Sequence, residues 1–114
     1  MNVRDIFLSI NARDFDSQTA WWTTFIGREP DRRPMPSCQE WDLAPSVLFQ
    51  VLESPDNGPT DVSLRIDNLN AEIARLRKTG VDVPDPEKVD GFDTLRWSAF
   101  TDPEGNKVNL LEGT

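Results

Sequence analysis

No histidine and no tyrosine occurs among the 114 residues, and there is a single cysteine. Without histidine there is no Ser-His-Asp catalysis and no use of the commonest transition-metal ligand. Cys38 has no second thiol to pair with and no cysteine cluster that would suggest zinc. It also lacks its usual activating base, so it reads as a passive residue. Long apolar runs are missing as well, which excludes a membrane-spanning helix. The opening Met1-Asn-Val-Arg4 has no signal-peptide apolar core, and a cytoplasmic protein is expected. Basic residues are the minority, Lys+Arg 12 against Asp+Glu 20, giving a net charge of -8. Such a balance repels phosphate backbones, so no nucleic-acid partner is expected. The one basic concentration besides Arg32-Arg33, Arg75-Leu-Arg-Lys78, reads as the solvated last turn of a helix.

What is present is a set of short periodic segments, in a length that fits one domain. Ile6 to Ala12 alternates, with Leu8, Ile10 and Ala12 on one face and Phe7, Ser9 and Asn11 on the other, as in a half-buried strand. Asp14, Asp16 or Ser17 can cap a helix running through Ile26, with Trp21, Trp22, Phe25 and Ile26 on one side and Gly27 as the stop. At least one of that tryptophan pair is expected in the core. Three prolines between Arg28 and Pro36 restrict any strand there to a short one at a sheet edge. Gln39 to Leu43 and Val47 to Glu53 read as the next strands, and Ser54 to Thr60 as a linker.

The pattern then restarts. Val62, Leu64 and Ile66 alternate with Asp61, Ser63 and Arg65; Asn68 can cap a helix with a Leu69, Ile73, Leu76 stripe; Gly80 ends it. Phe7 to Asp14 aligns with Asp61 to Asn68 at an offset of 54 residues, and Gly27 with Gly80 at 53. Two copies of one supersecondary unit are implied. A short segment near Val81 to Val83, a loop to Asp93, and strands Leu95 to Thr101 and Lys107 to Glu112 complete the order β-α-β-β-β twice. Between the last two strands, Asp102 can hold a tight turn with its side chain, Pro103 presets φ, and Gly105 or Asn106 can take φ > 0. On the return strand Val108 and Leu110 face one way and Lys107, Asn109 and Leu111 the other, away from the helix-covered side.

The Trp21-Trp-Thr-Thr-Phe-Ile-Gly27 helix end, the Arg65 to Val81 segment, and Phe100-Thr-Asp-Pro-Glu-Gly-Asn106 followed by Val108-Asn-Leu110 together resemble the vicinal oxygen chelate superfamily. That superfamily includes glyoxalase I, extradiol dioxygenases, fosfomycin resistance enzymes and bleomycin-binding proteins. The resemblance covers nearly the whole chain. It implies an α+β fold over residues 1–114: a module of about residues 1–55, a linker at 54–60 and a module of about 61–114. Each module is βαβββ, with curved mixed sheets around a cleft and helices outside. It also implies a homodimer.

Catalytic members of the superfamily hold a divalent metal with one residue on each of four cleft strands. The corresponding positions here are Phe7, Gln50, Asp61 and Asn109, of which only Asp61 is a charged ligand type. Phe7 has no lone pair to give, and neutral carboxamides hold a divalent ion weakly. No metal and no other cofactor is therefore expected. The lesser readings are a weak magnesium or calcium site on Asp61 and waters, and a one-residue slip that turns Glu53 inward.

In place of the metal, the expectation is a small-molecule cleft lined by Phe7, Ser9, Asn11, Gln50, Asp61, Ser63 and Asn109, with Trp41 or Trp97 closing one end. Among these groups Asp61, if desolvated, attracts a cationic ligand or serves as the one candidate catalytic base; alternatively it pairs with Arg65 or another basic neighbour at the cleft edge. Three functions compete. The first is a non-enzymatic protein sequestering a cationic or aromatic molecule, as bleomycin-binding members do. The second is a metal-dependent lyase, isomerase or dioxygenase, and the third a metal-free enzyme using Asp61.

Overall fold

Alternation along Ile6–Ala12 produces β1, whose inward residues Ile10 and Ala12 are fully buried. The computed structural model describes residues 1–55 and 58–114, so residues 56 and 57 of the expected linker lie outside it. The chain divides into two units, Met1–Gly58 and Pro59–Thr114. Among the described residues no helix is long and apolar enough to cross a membrane.

In the first unit β1 is followed by α1 (Phe15–Ile26), β2 (Arg32–Met35), β3 (Cys38–Ala44) and β4 (Val47–Glu53). Of the three candidate caps it is Asp14 that closes the helix N-terminus, its Oδ1 accepting the Ser17 N–H at 3.1 Å. Gly27, at φ 90°, ends the helix in the left-handed conformation that glycine adopts without steric cost. The sheet order is β1-β4-β3-β2, with β1 parallel to β4 and the other neighbours antiparallel. The proline-bearing β2 is at the edge, where Pro34 and its missing N–H are tolerated.

One face of this sheet is covered by α1. Trp22 is fully buried, with its ring 4.6 Å from that of Phe49, and Phe49 in turn lies 5.9 Å from Trp41. Burying a side chain such as Phe49 contributes roughly 1.5–3 kcal/mol. Trp21, half-buried, stacks on Phe25 at the margin.

The second unit repeats the plan with β5 (Asp61–Arg65), α2 (Leu69–Lys78), β6 (Glu87–Lys88), β7 (Arg96–Thr101) and β8 (Lys107–Glu112) in the order β5-β8-β7-β6. Asn68 caps α2 through the Ala71 N–H at 3.1 Å, matching Asp14 in the first unit. Leu69, Ile73 and Leu76 form its buried stripe. The arginines of its last turn are solvated and paired: Arg77 binds the Val83 carbonyl and Asp85.

The expected strand near Val81 to Val83 is not there. Val81 donates its N–H back to the Leu76 carbonyl as part of the helix ending, and Val83 is buried without joining the sheet. Pro84 and Pro86 then remove two ladder donors, so pairing begins only at Glu87. The expected turn after β7 forms around Asp102 and Gly105, the latter at φ 87°. Asp102 is buried and accepts the N–H groups of Glu104 and Asn106, both at 2.9 Å, and the Asn106 side-chain amide at 2.7 Å.

Candidate functional site

Because paired strand residues point to the same side of a sheet, the register fixes what each helix-free face displays. In the first unit this face carries Phe7, Ser9 and Asn11 from β1, Leu48, Gln50 and Leu52 from β4, and Cys38, Glu40 and Asp42 from β3. In the second it carries Asp61 and Ser63, Lys107 and Asn109, and Trp97 and Ala99. Ser9 pairs with Gln50 as Ser63 pairs with Asn109. The repeat thus places a serine beside a carboxamide in both units, which makes Gln50 the counterpart of Asn109.

The two carboxamides are wired differently. Gln50 accepts the Ser9 hydroxyl at 2.9 Å and donates to Glu40 Oε2 at 2.6 Å, so both ends of the amide are used. Glu40 is only 5 % exposed, and its second oxygen accepts Arg32 Nη1 at 2.8 Å. A carboxylate buried to this degree requires such partners. Arg32 continues to Asp42, which it grips with both terminal nitrogens.

Asn109 is 6 % exposed. Its Nδ2 donates to Asp61 Oδ1 at 2.6 Å and to Ser63 Oγ at 3.2 Å. Its Oδ1 is buried and has no hydrogen-bond partner. Leaving a buried acceptor unsatisfied costs about 1–3 kcal/mol. In the first unit Glu40 stands beside Gln50; at the matching place beside Asn109 there is Ala99.

The structure therefore brings together Ser9 with Gln50, and Asp61 with Ser63 and Asn109. Phe7 is on the expected face but 57 % exposed, and Asn11 is half-buried beyond Ser9. Trp97 is half-buried on the helix-free face. Trp41 takes no part: it points to the helix side, is fully buried, and donates its indole N–H to the Arg28 carbonyl at 3.0 Å. Asp61 is exposed, not desolvated, and its partner is Asn109 instead of Arg65. No slip turns Glu53 inward; it follows Val51 on the opposite face from Gln50 and is exposed.

Glu40 and Arg32 were not among the expected site residues. Within Gln39-Glu40-Trp41-Asp42 polar and apolar residues do not alternate cleanly, so only the pairing with Gln50 reveals which way Glu40 points. Burial, and secondarily the Glu40 charge, pushes the Cys38 thiol above its usual range and keeps it protonated.

At the sheet edge, Arg28 binds both oxygens of Asp31 at 2.6 Å, and Asp31 accepts the Asp42 N–H at 2.6 Å. The Arg28 guanidinium, then that N–H, holds the Asp31 carboxyl below the ordinary carboxylate range. A depressed carboxyl stabilises the fold above its unfolded value, and the contribution disappears as pH falls through the lower folded value. Asp31→Asn is accordingly expected to lower the melting temperature at pH 7 and to converge on the wild type in acid below that range; thermal melts at the two pH values check this.

A family model described as a glyoxalase-like domain matches residues 6–111. The fold is similar to a glyoxalase/bleomycin resistance protein from Catenulispora acidiphila (TM-score 0.85, 23 % identity, covering 96 % of this chain and 98 % of that one). It is also similar to a bleomycin-binding protein solved with bleomycin (TM-score 0.76, 18 %, 96 % and 98 %). A lactoylglutathione lyase from Agrobacterium tumefaciens shares the fold as well (TM-score 0.76, 14 %, 95 % and 92 %). No curated protein matches the chain.

Proposed function

The chain belongs to the glyoxalase-like domain family, and on that premise we propose that it binds a small organic molecule on the helix-free faces of its sheets, without a metal ion. The observation that supports this most directly is Asn109 Oδ1, a buried acceptor with no donor, set beside the Asp61 carboxylate and the Ser63 hydroxyl. A ligand N–H or O–H that reached this oxygen would relieve its unmet hydrogen bond, and Asp61 would favour a cationic donor. A bleomycin-bound relative of the same fold supports small-molecule binding as the task.

A metal does not fit the side chains in the family's ligand positions. Phe7 offers no lone pair, and Gln50 has its oxygen engaged by Ser9 and its nitrogen by Glu40. Asp61 and Asn109 remain, two oxygen donors where a hard cation takes six or more. Among the described residues no group of three or more His, Cys, Asp or Glu side chains is placed to hold an ion. The same poverty argues against proton-transfer catalysis: an exposed Asp61 without a partner acid or oxyanion donors lacks the pieces such chemistry uses.

Side-chain amide NMR tests the proposal. Titrating a panel of cationic, neutral and anionic fragments is expected to shift the Asn109 amide with at least one of them. Asp61→Asn should weaken a cationic hit about tenfold, the effect of losing one charged hydrogen-bond partner. If no fragment moves the Asn109 or Gln50 amides, the proposal fails.

A further inference from the structure

Resting on the reading that ligands occupy the helix-free faces, we propose that the hollow beside Trp97 seats an organic ammonium headgroup, and that Lys107 occupies the ring in the free protein. The hollow measures about 190 Å³ and is walled by Pro84, Asp85, Glu87, Trp97, Ser98 and Ala99. That is well above the room a single ordered water needs, so a small headgroup fits.

Its chemistry suits a cation on three counts. Trp97 is half-buried on the open face and offers an indole, the best aromatic surface for a positive charge. Glu87 is the register partner of Trp97, so its carboxylate emerges on the same side, and it makes no ion pair among the described residues. Asp85, by contrast, is already paired with Arg77 at 2.8 Å. Ala99, in the wall, is the register partner of Asn109, whose Oδ1 lacks a donor.

A cation is also already stationed there. Lys107 Nζ lies 5.7 Å from the centre of the Trp97 ring. The register partner of Lys107 on β7 is Thr101, four residues from Trp97. Its side chain therefore runs back along the face to reach the ring. Such a contact on a flexible stem is weak and exchangeable. Lys107 is thus an internal competitor, and removing it should improve binding, whereas a merely structural lysine would do nothing for the ligand.

The test uses tetramethylammonium and the uncharged, similarly shaped tert-butyl alcohol, read at the Trp97 indole N–H by NMR in 0.15 M salt. Tetramethylammonium is expected to shift that signal and the alcohol to leave it still. Lys107→Met should tighten tetramethylammonium binding about threefold, the scale of one exposed cation–π contact. Lys88→Met, which removes the same charge away from the ring, should change nothing, and Glu87→Gln should weaken binding. Equal effects of the two lysine variants, equal binding of the alcohol, or a silent Trp97 would each overturn the proposal. A silent Trp97 together with fragment shifts at the Asn109 or Gln50 amide leaves the broader ligand-binding reading standing; silence at all three residues removes both.

Discussion

Asn109→Asp is expected to destabilise the protein by about 3 kcal/mol at pH 7, the scale of an uncompensated buried charge. The change converts a donor 2.6 Å from Asp61 Oδ1 into a second carboxylate, and the Ser63 hydroxyl, which accepts from the amide, must turn to donate instead. Asn109 is nine-tenths buried, so the new charge is poorly hydrated as well as repelled. The introduced carboxyl favours its protonated form in the folded state; stability is therefore lost at high pH and recovered as pH falls through that raised value. Urea titrations at pH 7.5 and 5 check both the size and the sign. Asn109→Leu, which adds no charge, should cost less at pH 7.5 and show no such recovery at pH 5. Millimolar manganese should rescue the aspartate variant alone, because two adjacent carboxylates and waters suit a hard cation.

The turn between β7 and β8 gives an effect of similar size. Asp102→Ala removes three hydrogen bonds to one buried carboxylate, from two backbone N–H groups and the Asn106 amide. A loss of about 3 kcal/mol is expected, near the upper figure for a charged hydrogen bond. The consequence extends beyond the turn. Asn106 Oδ1 accepts the Thr60 N–H at 2.9 Å, and Lys107 returns its own N–H to the Thr60 carbonyl at 2.8 Å. Losing Asp102 should therefore speed hydrogen exchange at the amides of Thr60 and Lys107, at the starts of β5 and β8, and lower the urea midpoint. Asp102→Asn keeps the shape but turns one acceptor into a donor facing the Asn106 amide, so it should recover only part of the loss.

Local signals made most of the fold readable. Clean alternation marked β1, β5 and β8, the two caps were Asp and Asn at equivalent repeat positions, and Gly27 stood where a left-handed stop was needed. The short β6 was misplaced because apolar Val81 and Val83 look more strand-like than Glu87-Lys88; proline geometry, not hydrophobicity, decided where pairing began. At the site, Ser9, Asp61, Ser63 and Asn109 could each be assigned to the helix-free face of their own sheet because their strands have a legible period, whereas Gln50, on the nearly all-apolar β4, was placed only by the family resemblance. Trp41 and Glu40 could not be assigned. They are adjacent and point to opposite faces, and only the pairing of β3 with β4 shows that the tryptophan belongs to the core and the carboxylate to the open face. The dissimilar wiring of Gln50 and Asn109 is likewise beyond sequence, since it depends on Glu40 and Ala99 occupying the same register position in different units.

All of this rests on the open-face polar groups being arranged to bind one another and an organic ligand, not to coordinate an ion. Elemental analysis of purified, dialysed protein, paired with melting curves with and without EDTA, addresses that directly. The account predicts far less than one equivalent of any transition metal per chain and an unchanged melting temperature. One firmly retained equivalent, with a melting temperature that drops on chelation, would contradict it.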